Sequence, residues 1–163
     1  MCIRDRAAAA EGAGQANWPA RVQKLKDGHL TQLAGRTVWL DGAHNVHGAK
    51  ALVASLSSLY PRKWTIIFGA LNTRPADEFL SIIKPVTDRI YCLTIPDQPA
   101  ALKSGALVSR ARSLGLKADS ADDISSACRA IGTLGVTDDQ PVIICGSLYL
   151  AGAVLQENGT LPN

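Results

Sequence analysis

Thr37-Val38-Trp39-Leu40-Asp41-Gly42-Ala43-His44-Asn45 is the stretch that decides the fold. An apolar run gives way to an acid, a glycine, an imidazole and an amide. Apolar positions then recur at Val46, Ala49, Leu52, Val53, Leu56, Leu59 and Tyr60, a helical spacing. The pattern predicts a core strand, a turn and a helix, with Asn45 placed to cap the helix. In open α/β sheets the carboxyl end of a strand is where ligands bind, so this turn is the primary candidate site.

Working outward, Pro61-Arg62-Lys63 ends that helix, and Trp64-Thr65-Ile66-Ile67-Phe68-Gly69-Ala70 is a nearly unbroken apolar run. A strand without polar alternation is buried on both faces, which points to a parallel sheet between helices. Arg89 to Ile95 and Pro141 to Gly146 read as further strands. Helices are expected from Ala76 to Lys84, from Gly105 to Leu114, after Asp122-Asp123, and after Ser147 as cap. Four buried-type strands alternating with helices predict an α/β domain, doubly wound, with a mostly parallel sheet and helices on both faces.

Toward the amino terminus, Trp18 to Leu25 and Leu30 to Leu33 read as two short extended pieces around the turn Lys26-Asp27-Gly28-His29. Residues 7–17 are rich in Ala, Gly and Gln and read as a linker. Met1-Cys2-Ile3-Arg4-Asp5-Arg6 fits nothing that follows and is read as a spurious start. The domain is therefore expected over 18–157, with a loose polar tail over 158–163.

The 163 residues suffice for one domain with a real core, and the 47% hydrophobic share describes a globular chain. Setting aside the first six residues removes two Arg and one Asp, so the formal charge falls from +3 to +2. That is too small to imply nucleic acid or an anionic membrane. No apolar run approaches the ~20 residues of a membrane span. Cys2, Cys92, Cys128 and Cys145 are far apart and form no Cys-x-x-Cys pair, so reduced cytoplasmic thiols are expected.

Asp41, His44 and Asn45, with His47 one turn on, are the first candidates for chemistry. A carboxylate beside an imidazole can bind a ribose hydroxyl, orient a phosphate or hold an amine. In the competing reading, Asn45 is only a cap and Asp41 only satisfies turn amides. Asp41-x-x-His44-x-x-His47 also has the residue types of a zinc or iron site. However, His44 precedes the helix and His47 lies within it, so no metal is assigned. Ser147 follows Gly146 but does not complete Gly-x-Ser-x-Gly, because Tyr149 stands where the second glycine belongs. Ser147 is then a cap or a hydroxyl facing an anion. Arg21 is a third candidate, as a phosphate contact or a solvated side chain. Neither a Gly-x-x-x-x-Gly-Lys-Ser/Thr loop nor a Gly-x-Gly-x-x-Gly fingerprint occurs, so these residues alone do not grip a nucleotide.

Four blocks in order, Trp18-Pro19-Ala20-Arg21, Leu40-Asp41-Gly42-Ala43-His44-Asn45, Phe68-Gly69-Ala70-Leu71 and Cys145-Gly146-Ser147-Leu148-Tyr149-Leu150, resemble one family. It is the carboxyl-terminal domain of folylpolyglutamate synthase, including the bifunctional dihydrofolate synthase, within the Mur ligase superfamily. The resemblance covers roughly residues 18 to 157. Two departures, Ala20 for a family glycine and Val46 for a family proline, remove no functional group.

The resemblance implies a Rossmann-like fold and an ATP-dependent amide ligase that adds glutamate to dihydropteroate or folate through an acyl phosphate. ATP and Mg2+ would be held mainly by an amino-terminal domain, which this domain would face as partner in a monomer. Arg21, Asp41, His44 and Asn45 match nucleotide or phosphate contacts. Asp41, His44 and Ser147 match the glutamate side, with His44 and Asp41 the candidates for catalysis. The alternative is a free-standing α/β module that binds a nucleotide or small molecule without ligase activity.

Overall fold

Trp64–Phe68 is buried at every position, and so is Val142–Cys145. Strands of this kind need cover on both faces. In the computed structural model, which describes residues 21–135 and 140–160, they lie side by side at the centre of a six-stranded sheet. In chain order the first half holds β1 (Gln23–Lys24), α1 (His29–Ala34), β2 (Val38–Leu40), α2 (Val46–Leu59), β3 (Trp64–Phe68) and α3 (Ala76–Ile83). The second half holds β4 (Thr87–Cys92), α4 (Ser104–Ser113), β5 (Lys117–Ser120), α5 (Ile124–Gly132), β6 (Val142–Cys145) and α6 (Leu148–Glu157).

The spatial order is β1-β2-β6-β3-β4-β5, parallel throughout except for antiparallel β1. Side chains alternate across the sheet, as strand geometry requires. Trp64, Ile66, Phe68, Ile143 and Cys145 enter one core with α2, α3 and α4. Val38, Leu40, Ile67, Val142 and Ile144 enter the other with α1, α5 and α6. The expected doubly wound architecture is what the chain forms. Adjacent strands β2 and β6 send their chains to opposite faces, so a crevice opens at their carboxyl ends.

Three expectations are corrected. Leu30 to Leu33 is helical, within α1, because Leu30 and Ala34 bury one stripe and Gly35 closes the helix at φ 63°. A remote residue caps it: Asn158 Oδ1 accepts the Leu30 amide at 3.0 Å. The same contact overturns the loose tail at its first residue. Asn158 is 3% exposed, and its amide donates to the Lys26 carbonyl (3.1 Å) and Thr160 Oγ1 (3.2 Å). The sheet also gains an unexpected strand, β5, while β1 falls within the extended piece expected from Trp18 to Leu25. Lys117-Ala118-Asp119-Ser120 carries no apolar run and becomes a strand by pairing along β4, clipped by Arg89 to Asp119 at 2.7 Å.

Helix starts follow the sequence closely. Asn45, Asp123 and Ser147 each cap with the side chain, accepting from Gly48 (2.8 Å), Ser126 (2.7 Å) and Tyr149 (3.1 Å) amides. Asp123 is thus a cap rather than a first-turn acid, and the Ser126 hydrogen bonds pull its carboxyl below the usual range. Cys92, Cys128 and Cys145 are buried free thiols. Burial pushes the Cys92 and Cys128 thiols up to about 12, so they stay protonated and inert. The spurious start, the linker, Trp18 to Ala20 with Cys2, and the last residues 161–163 lie outside the described residues.

Candidate functional site

The crevice between β2 and β6 is built from three backbone decisions. The ladder runs one step beyond the strands, the Asp41 amide donating to the Ile144 carbonyl at 2.9 Å. Gly146 N–H then reaches across to the Ala43 carbonyl, also at 2.9 Å, tying the two loops together. Gly146 has φ 113°, and a Cβ there would stand 2.3 Å from the Gly69 carbonyl oxygen and 2.7 Å from the Phe68 ring. Only glycine allows the β3 and β6 ends to approach this closely.

Asp41 is 8% exposed, and both carboxylate oxygens are engaged. Oδ1 accepts the Ala43 amide at 2.7 Å, and Oδ2 accepts the Val22 amide at 2.8 Å. Burial raises its pKa above the ordinary aspartate value of 3.8; the Ala43 and Val22 amides and the Arg21 charge oppose that rise without cancelling it. Val22 sits at φ 42°, in the left-handed region that a β-branched residue avoids. Its amide faces Asp41 in this bend, and Arg21 comes to the mouth of the crevice. The carboxylate organises the turn, holding one amide on each oxygen. Among the described residues no group of three His, Cys, Asp or Glu converges to hold a metal.

His44 is half-buried. Its Nδ1 lies 2.9 Å from the Gly42 carbonyl. A carbonyl only accepts, so Nδ1 carries the hydrogen and Nε2 carries the lone pair of the neutral ring. Two clefts meet at this residue. The larger, of about 500 Å³, runs from Arg21 and Asp41 along the first turns of α2 past Asn45, His47 and Gly48. The smaller, of about 150 Å³, lies between the β3–α3 loop and the start of α6, lined by Thr73, Arg74, Ser147 and Tyr149. His44 and Leu148 belong to both.

Each cleft combines a guanidinium with the start of a helix, a pairing that suits phosphates and carboxylates. Asn45 and Ser147 serve as the caps the bland readings proposed, and both also line a cleft. His47 is exposed on the wall of the larger one. Sequence reasoning missed Thr73, Arg74, Leu148 and Tyr149 as cleft residues. Arg74 sits on a loop with no periodic pattern. Leu148 and Tyr149 are 59% and 57% exposed at the tip of a helix whose later apolar residues are buried.

Residues 21–148 match the family described as Mur ligase, glutamate ligase domain. The chain belongs to that family. The folylpolyglutamate synthase of Lacticaseibacillus casei is 31% identical to this glutamate ligase domain over 146 residues, spanning 90% of the chain and 31% of the relative. Among solved structures, the Mycobacterium tuberculosis folylpolyglutamate synthase complexed with ADP and AMPPCP superposes with a TM-score of 0.79. It is 24% identical, over 96% of this chain and 36% of that one. The bifunctional folylpolyglutamate synthase/dihydrofolate synthase of Yersinia pestis with AMPPNP and Mn gives 0.71 at 23% identity, over 90% and 32%. At those identities the two structures speak for the fold. The chain spans about a third of the length of the relatives it matches. No helix among the described residues is long and apolar enough to cross a membrane.

Proposed function

We propose that this glutamate ligase domain forms one wall of the active site of an ATP-dependent ligase. That ligase joins L-glutamate to dihydropteroate or to a glutamylated folate. The carrying observation is the pair of clefts, each with its own arginine, meeting at His44. An anion-suited cleft on either side of one imidazole fits a reaction that brings a phosphorylated carboxyl group to an amino acid. In this reading Arg21 and Asn45 face the ATP phosphates, and Asp41 holds the turn between the sites. Ser147 and His44 face glutamate. ATP supplies the phosphoryl group that activates the carboxyl, and a closing domain keeps water from the acyl phosphate. Mg2+ and the phosphate loop belong to the rest of the ligase, and the protein works as a cytoplasmic monomer.

The test uses the complete ligase that carries this domain, assayed for ATP- and glutamate-dependent phosphate release with dihydropteroate. Asp41→Ala and His44→Ala, checked for folding by circular dichroism, lower the rate by orders of magnitude. Wild-type rates in both remove the site assignment. Calorimetry of the 163-residue chain with ATP, ADP and glutamate gives weak or no binding, whereas micromolar binding favours a free-standing module.

A further inference from the structure

We infer that His44 Nε2 is the proton acceptor that frees the attacking amine, an assignment that rests on the ligase reading above. The first argument is the tautomer. The Nδ1–H bond to the Gly42 carbonyl at 2.9 Å fixes the ring and leaves Nε2 as the basic nitrogen of the neutral imidazole. The second is place. His44 is the one imidazole that lines both clefts, so it stands where an amino acid held on the Arg74 side meets a phosphorylated carboxyl on the Arg21 side. The other titratable or charged groups lining these walls do not meet both conditions. Asp41 and His47 line only the larger cleft, and Arg21 and Arg74 are cations. Tyr149 lines only the smaller cleft and is a weak base.

An amino acid arrives as an ammonium and loses two protons on becoming an amide. The first must leave before attack, because the nitrogen has no lone pair until it does. His44 Nε2 takes it and becomes imidazolium, keeping Nδ1–H on Gly42. The amine nitrogen then bonds to the acyl carbon. As the tetrahedral intermediate collapses, the carbon–oxygen bond to phosphate breaks and phosphate leaves with its electron pair. The second proton goes to solvent or to that phosphate, and the imidazolium returns its own proton to water.

The discriminating probe is hydroxylamine, an amine already unprotonated at neutral pH, which traps acyl phosphates as hydroxamates without a base. The variant is His44→Asn in the complete ligase. An asparagine amide can still donate to the Gly42 carbonyl while Nε2 is gone, and an unchanged urea midpoint confirms the fold. Glutamate ligation at neutral pH should fall by about 10²–10⁴-fold, the usual worth of a general base. The loss should sit in kcat rather than in KM for glutamate. ATP-dependent hydroxamate formation should stay close to wild type, and the residual glutamate rate should climb with pH as free amine accumulates. Three results overturn the assignment: hydroxamate formation falling as far as ligation, a loss confined to KM, or ligation unchanged. If the wild-type ligase makes no ATP-dependent hydroxamate, the ligase reading fails first and takes this assignment with it.

Discussion

Replacing Gly146 by alanine tests the claim that the site rests on the close approach of β3 and β6. Gly146 has φ 113°, a region where holding an L-residue costs about 1–3 kcal/mol. The new Cβ would also stand 2.3 Å from the Gly69 carbonyl oxygen, a backbone atom with no rotamer to escape into. Relieving that clash moves strand ends by about an ångström, comparable to overpacking at about 1–3 kcal/mol. Together Gly146→Ala should cost about 2–6 kcal/mol, a large part of the roughly 5–15 kcal/mol that holds a domain of this size. The thermal midpoint should fall by roughly 10 °C. Gly152, inside α6 with nothing within 4 Å of an added Cβ, is the control. Gly152→Ala should stabilise by about 0.5–1 kcal/mol, since it removes only unfolded-state freedom. Urea titration of the 163-residue chain, followed by far-ultraviolet circular dichroism, measures both. A Gly146→Ala midpoint at or above wild type, or both variants shifting the same way, would refute the reasoning.

Asp41 should show a pH dependence opposite to that of an ion-paired carboxylate. Its folded pKa lies above the ordinary 3.8, so the folded chain takes up this proton first as pH falls, and its contribution to stability grows on acidification and shrinks as pH rises through the folded pKa. Asp41→Asn should remove that component from urea midpoints measured across the acid range, and identical pH curves for the two proteins would dismiss it. Asn158→Ala should cost about 1–3 kcal/mol, because it strands the buried Leu30 amide and the Lys26 carbonyl. Hydrogen exchange at Leu30 should quicken in that variant more than at Ile67 in β3, and equal quickening would point to a global loss instead.

What the sequence disclosed and what it hid divide along a physical line. The turn from Asp41 to Asn45, the two central strands and the helix caps Asn45 and Ser147 were legible because their causes are local: unbroken apolar runs, 3.6-residue spacing, short polar side chains before helices. Helix α1 was misread because one of its caps is Asn158, 128 positions away. Strand β5 was missed because its cause is pairing to β4 rather than its own composition. The smaller cleft was hidden for the same reason. Thr73 and Arg74 follow β3 on a loop pinned by the Leu71–Ala101 bridge and by the Asn72 amide on the Ala100 carbonyl at 2.8 Å. Nothing near them in sequence announces that they will face Ser147.

Several departures from local comfort gather at the same place. Val22 holds a left-handed backbone, Asp41 keeps a carboxylate where burial disfavours its charge, and Leu148 and Tyr149 expose apolar surface. All of them line the two clefts that meet at His44. Elsewhere among the described residues the helices, two filled cores and inert thiols follow local preference, with Asp97 at φ 55° and the exposed Leu59 and Leu134 as the exceptions. Such departures gathered around one crevice are a motive for reading its residues as held for chemistry as well as stability. On that ground we propose that Asn45 and Ser147 do more than cap. Capping explains their hydrogen bonds, but a cap needs no strained neighbour and no cleft. On this proposal the Asp41 turn is held for what it presents to a ligand as well as for the helix it begins.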